Sequence, residues 1–193
     1  MRVLVTGSTG FVGFHVVKAL KNSGHSVVAL VRSADKAQQL YSKHGIVLDH
    51  LVVGSVSDNS IVREALHGCD AVVHAAAITP MQAANEQDLF ATNVTGVKNV
   101  IGTACACGIN NIVYVSSITA IFNTDASRMT PDAPVARSKH AYGLSKAQAE
   151  DYVRGVQAQG KAVKTVYPGG IIGPDDPGMS ATLMSLVYRM TQG

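Results

Sequence analysis

Val3-Leu4-Val5-Thr6-Gly7-Ser8-Thr9-Gly10-Phe11-Val12-Gly13 is the stretch that decides the fold. Its β-branched run reads as a strand, its glycines as a tight turn, and the residues after them as an amphipathic helix over 10–23. The apolar residues Phe11, Val12, Val16, Ala19 and Leu20 form the helix's expected buried stripe, while Lys18, Lys21 and Asn22 face away. Asn22-Ser23-Gly24 then supplies the turn chemistry that ends it. Outward from this unit the alternation repeats. Strands are expected at 2–6, 26–31, 48–53, 71–74, 112–116 and 163–167, with further helices at 34–44, 58–66, 88–107 and 139–159. Short strands alternating with longer helices mean parallel βαβ units, hence an α/β fold with a doubly wound parallel sheet.

The chain has 193 residues, 47% of them apolar and 15% charged, with a formal charge of +3. That length supports one domain with a core needing neither disulfides nor metal, and the composition excludes a disordered chain. The basic residues are few and scattered, which argues against nucleic acid as a partner. Apolar runs reach about seven residues, far short of the ~20 that cross a bilayer. No signal peptide follows Met1, so a cytoplasmic protein without a membrane partner is expected. Cys69, Cys105 and Cys107 are expected to be buried free thiols, and no metal site is expected.

Glycines spaced Gly7-x-x-Gly10-x-x-Gly13, between a strand and a helix, let the backbone approach a pyrophosphate whose charge the helix N-terminus favours. A dinucleotide is therefore the expected ligand. NAD-preferring sites carry an acid at the end of the second strand, for the ribose 2′-hydroxyl. Here Ala29-Leu30-Val31-Arg32-Ser33 has none before Asp35, and the Arg32 guanidinium suits a 2′-phosphate. NADP is the expected cofactor, with NAD the alternative.

Tyr142-Gly143-Leu144-Ser145-Lys146 places a phenol and an ammonium four residues apart on one helix face. A nearby ammonium favours phenolate and lowers a tyrosine's pKa from its usual ~10. The spacing alone arises easily by chance. It gains weight from Ile112-Val113-Tyr114-Val115-Ser116-Ser117, a strand ending in hydroxyls where open parallel sheets bind ligands.

With these motifs in order, the sequence resembles the extended short-chain dehydrogenases/reductases, of the NAD-dependent epimerase/dehydratase superfamily. Supporting motifs are His74-Ala75-Ala76-Ala77, Thr92-Asn93-Val94-Thr95-Gly96 and Tyr167-Pro168-Gly169-Gly170-Ile171-Ile172-Gly173-Pro174. Within the family it looks most like the dihydroflavonol-reductase and cinnamoyl-CoA-reductase branch, where an arginine after the second strand is common. The resemblance implies a Rossmann fold. It also implies that Tyr142 is the general acid/base, that Lys146 lowers its pKa and holds the nicotinamide ribose, and that Ser117 orients the reacting oxygen. It further implies cofactor contacts from Gly7, Thr9, Gly10, Phe11, Val12, Gly13, Arg32, Ser55, Val56, Ala75, Ala76, Ala77, Asn93, Tyr142, Lys146, Tyr167, Pro168 and Gly169. Ser55 and Val56 stand where the family usually has an aspartate for the adenine, and Ser55 brings a hydroxyl instead of a charge.

The activity implied is an NADP-dependent oxidoreductase passing hydride between nicotinamide and a small carbonyl or alcohol. Alternatives are a nucleotide-sugar epimerase that retains NAD and a non-catalytic NADP-binding sensor or scaffold. A sugar-nucleotide dehydratase fits less well, because Ile118-Thr119-Ala120-Ile121 carries no acid. Residues 1–173 are expected to form the nucleotide-binding domain and 174–193 the start of a substrate lobe. An apolar helix through Leu183, Met184, Leu186, Val187 and Met190 has little to pack on, so we expect a chain that continues past Gly193. A homodimer through the 88–107 and 139–159 helices is the family's analogy. His74 and His140 read as structural, Arg137, Lys139 and His140 as a solvated loop, and Asp175-Asp176 as turn chemistry.

Overall fold

Six strands run parallel in one sheet in the order β3-β2-β1-β4-β5-β6 in the computed structural model, which describes residues 1–176, 190 and 191. They are β1 (Arg2–Thr6), β2 (Ser26–Val31), β3 (His50–Val53), β4 (Ala71–His74), β5 (Asn111–Val115) and β6 (Val163–Val166). The helices are α1 (Phe11–Asn22), α2 (Ala34–Lys43), α3 (Asn59–Leu66), α4 (Glu86–Phe90), α5 (Gly96–Ala106) and α6 (Ala141–Ala158). This is the doubly wound Rossmann arrangement expected from the sequence. The chain winds outward from β1 to β3, then returns to the far side of β1 with β4. The crevice between the carboxyl ends of β1 and β4 is the switch point where such sheets take ligands.

Successive side chains of a strand face opposite layers. Val3, Val5, Val27, Ala29 and Val31 pack with Phe14, Val17, Ala37 and Tyr41 on one face. Leu4, Val28, Leu30, Val72, Ile112 and Tyr114 pack with Val97, Val100, Ile101, Ala149 and Val153 on the other. Burial on both faces is why β1 and β2 read as unbroken apolar runs.

Several local expectations need correction. In α1 the buried residues are Gly13, Phe14 and Val17, whereas Ala19 is exposed. Phe11 and Val12 are apolar for a different reason, since they line a groove rather than the core. The third strand starts at His50, because Asp49 is taken up by Lys21 at 2.8 Å and by the Val27 amide at 2.8 Å. Lys21 thus has a partner instead of facing water alone. The 88–107 helix is α4 and α5 joined by a π-helical turn, Ala91–Thr95. The three cysteines are free, but Cys69 and Cys105 are only part-buried and Cys107, just past the end of α5, is exposed. The apolar helix expected through residues 183–190 lies outside the described residues, apart from Met190.

His74, at the end of β4, is fully buried and meets Thr6, at the end of β1, through Nδ1 and Oγ1 at 2.6 Å. The structural reading of this histidine holds. Burial, and then the nearby Lys146 ammonium, pull its pKa from 6.5 down to about 3. The unfolded chain therefore binds a proton that the folded chain refuses, and stability is lost as pH falls from 6.5 toward 3. The His74 share of that slope is about 1.4 kcal/mol per pH unit. Replacing His74→Gln should flatten the acid limb by about one proton. Urea unfolding at several pH values measures this, and an unchanged slope would refute it.

Candidate functional site

The groove begins where the turn after β1 meets the segment after β4. Gly7 has φ +67°, and a Cβ there would meet the carbonyl carbon and oxygen of Ala75 and the amide of Ala76 at 2.6 Å. A Cβ on Gly13 would run into the Gly7 carbonyl, and the Gly10 amide donates back to that carbonyl at 2.9 Å. These glycines bring the N-terminus of α1 against the end of β1. No side chain caps α1 and no acid stands in its first turn, so the positive end of the helix dipole is open to an anion. The chemistry of this cradle, an uncapped helix N-terminus without an acid, suits an anion such as a pyrophosphate.

From there one continuous groove extends in both directions. Toward β2 and β3 it is lined by Thr9, Arg32, Ser55, Val56, Ala76 and Lys36. Toward β5 and β6 it is lined by Val12, Gly13, Ser117, Thr119, Tyr142 and Gly169. Gly7, Gly10, Phe11, Ala75, Ala77 and Gln82 line both halves. The glycine turn, the strand-end serine and the tyrosine, far apart in sequence, thus share one cleft. Sequence reasoning missed Lys36, Gln82, Thr92 and Asp176 on its walls. Lys36 had a signal: Ser33 caps α2 by accepting from the Lys36 amide at 3.3 Å, so both lie beside Arg32 in the first turn. Gln82 had none, since it arrives through the turn after Ile78.

Four expected contacts lie elsewhere. Asn93 sits in the π-helical turn and is buried away from the groove. Its amide accepts from the Ile78 N–H and donates to the Ile78 carbonyl, both at 2.9 Å, and donates to Ser145 Oγ at 3.1 Å. Asn93 therefore pins the groove wall to α6 from behind. Tyr167 and Pro168 line an apolar face with Val12, Val16, Val73, Val113, Val115 and Val166. The Tyr167 hydroxyl donates to Glu150 at 2.6 Å. Lys146 is 2% exposed, with Nζ 3.5 Å from the Val115 carbonyl and 5.3 Å from the centre of the Tyr114 ring.

That placement corrects the expected electrostatics. Burial raises the Tyr142 pKa, opposed by its interaction with Ser117. Burial, and not the Lys146 ammonium, sets the direction of the Tyr142 shift, and Nζ lies 3.5 Å from the Val115 carbonyl at the end of β5. Burial in turn pushes Lys146 down to about 8, with Glu150 pulling it up. Arg137, Lys139 and His140 are exposed, as a solvated loop should be. Asp175, at φ 62°, lies 3.7 Å from Lys18. Among the described residues no His, Cys, Asp and Glu cluster could hold a metal ion, and no helix is long and apolar enough to cross a membrane.

A family model described as NAD dependent epimerase/dehydratase matches residues 3–193. The chain belongs to that family. A relative named "Putative dihydroflavonol 4-reductase" from Synechocystis sp. is 34% identical over 175 residues, 89% of this chain and 50% of that protein. A 3-beta-hydroxysteroid dehydrogenase from Mycolicibacterium neoaurum is 31% identical over 187 residues, 92% of this chain and 50% of its own. Among solved structures, a short-chain dehydrogenase/reductase superfamily protein from Agrobacterium tumefaciens with bound NAD is 31% identical. Its TM-score is 0.71, over 86% of this chain and 48% of that one. This member of the epimerase/dehydratase family spans about half the length of the curated relatives it matches.

The Gly7 contact gives a direct test. Gly108, at φ +77°, has nothing near its missing Cβ, so Gly108→Ala bears only the backbone strain, about 1–2 kcal/mol. Gly7→Ala bears the same strain and must also displace the Ala75-Ala76 backbone. Urea midpoints should therefore fall further for Gly7→Ala than for Gly108→Ala. Equal losses would mean that the turn does not press on that wall.

Proposed function

We propose that the chain carries the cofactor-binding and proton-transfer half of an NADP-dependent oxidoreductase that interconverts a small carbonyl and its alcohol. The observation that carries this reading is the single groove joining the glycine turn to Ser117 and Tyr142. Gly7, Thr9, Gly10, Phe11, Val12 and Gly13 would hold the pyrophosphate, with Ser55 and Val56 beside the adenine. Arg32 and Lys36 would meet the 2′-phosphate, while Ala75, Ala76, Ala77 and Gly169 would border the rest of the cofactor. A bound nicotinamide supplies or accepts hydride.

The chain's own residues handle the proton. Tyr142 keeps its hydroxyl proton at neutral pH because burial raises its pKa, so it stands ready as the acid that protonates a developing alkoxide. Ser117, whose side chain interacts with that of Tyr142, orients the reacting oxygen beside it. Lys146 supplies the buried positive charge that favours phenolate once the proton has left. Tyr142→Phe should cut carbonyl reduction with NADPH by about 10²–10⁴-fold while leaving NADP binding intact. Full turnover in that variant would overturn the assignment, and it is the result a sensor or scaffold would give.

A second reading, NAD held by an epimerase-like enzyme, is favoured by the NAD bound to the Agrobacterium tumefaciens relative and by Asp176 on the same wall as Arg32 and Lys36. Thermal-shift titration separates the two. A ligand at a hundred times its dissociation constant stabilises the folded chain by about 2.7 kcal/mol. NADP should give the larger shift in wild type, and Arg32→Ala and Lys36→Ala should each shrink it while sparing NAD. A larger shift with NAD would put the epimerase-like reading first.

A further inference from the structure

Glu150 is a carboxylate in α6 with no exposure to solvent, a placement that is costly without compensation. Three donors supply it. Ser116, just past β5, donates from Oγ at 2.9 Å. Tyr167, just past β6, donates from its hydroxyl at 2.6 Å, and Arg154, one turn along α6, donates from Nε at 2.9 Å. Arg154 also donates to the carbonyls of Ala133 at 2.8 Å and Pro131 at 2.9 Å, tying down the connection between β5 and α6. One side chain thus gathers both strand ends and the loop that border the cleft.

The residues it fixes are neighbours of the chemistry. Val115, before Ser116, carries the carbonyl that Lys146 reaches. Ser117, after it, lines the groove with Tyr142 and interacts with its side chain. Pro168, after Tyr167, accepts from the Ile118 amide at 3.0 Å and precedes Gly169 on the groove wall. Lys146 lies one helical turn before Glu150 on the same face. The other titratable groups around the ammonium are Tyr114 on β5 and His74 on β4, with Tyr142 one turn back along α6. Burial keeps all three neutral near pH 7: His74 is held unprotonated, and both phenols are pushed up. Tyr167, likewise pushed up, and Arg154 face the carboxylate. Glu150 is the one carboxyl group in this set, and three donors meet it.

We propose that Glu150 is a positioning residue for the Ser117–Tyr142 pair, anchoring the ends of β5 and β6 to α6 and keeping the buried Lys146 ammonium charged. Its purpose rests on the oxidoreductase reading, but its action on Lys146 is a property of the chain itself. The test therefore uses the cofactor-free chain with ¹³C-labelled lysine, following the Lys146 side-chain resonance by NMR as pH is raised. Lys146→Met identifies the signal.

Glu150→Gln keeps the size and an acceptor oxygen but removes the charge. The Lys146 midpoint should fall by about one pH unit, a tenfold loss of proton affinity. Arg154→Gln changes a part-exposed partner and relieves the carboxylate of a competing cation, so the same midpoint should rise. The opposite signs separate an electrostatic role from general damage, and the second variant decides the matter if the first does not fold. A Lys146 midpoint left in place by a folded Glu150→Gln, or not raised by Arg154→Gln, would overturn the proposal. Neither titration depends on turnover, so loss of the oxidoreductase reading through Tyr142→Phe would leave this result standing, and the reverse holds too.

Discussion

The groove of this molecule depends on one close approach. The turn after β1 lies so near the backbone after β4 that no side chain fits at position 7. That contact closes the floor of the switch-point crevice and sets where α1 begins. It also aims the uncapped end of α1 along the groove. Parallel strands contribute by fanning their carboxyl ends away from this point. Arg32 and Lys36 thereby sit toward one end of the cleft and Ser117 and Tyr142 toward the other.

A second constraint works from behind the groove. Its walls are short loops, and short loops hold position only when their polar groups have fixed partners. Asn93 supplies them for Ile78, using a π-helical turn that swings the amide inward from the α4–α5 helix. Irregular turns of this kind inside helices are frequent at functional sites. Glu150 does the equivalent for the ends of β5 and β6. Both residues sit where a helix of purely apolar packing would have put a leucine or an alanine.

The fold was legible because its signals are local and repeated. The run of residues 3–6, the turn at Gly7 and the amphipathic α1 each announce themselves, and right-handed parallel crossovers leave few ways to assemble them. The cleft was legible for residues at strand ends, such as Ser117, and on glycine turns. What stayed hidden depends on contacts between distant segments. Nothing in the sequence near Asn93 shows that its amide points at Ile78, or that Tyr167 turns toward Glu150. Helical spacing rightly put Tyr142 and Lys146 on one face, but a face is wider than a hydrogen bond. The ammonium lies 3.5 Å from the Val115 carbonyl at the end of β5, and burial decides the shift at the phenol. Phe11 and Val12 misled for a related reason: apolar residues are needed both in a core and along a groove.

The central claim is that the glycine turn, the wall after β4 and the lip bearing Ser117 and Tyr142 form one dinucleotide site. Hydrogen exchange of the backbone amides with and without saturating NADPH tests it most directly. Our account predicts slowed exchange at Phe11, Val12 and Gly13 together with Ala76, Ala77 and Ser117, and little change on α3. Protection confined to other segments, or none at a concentration that stabilises the chain, would contradict it.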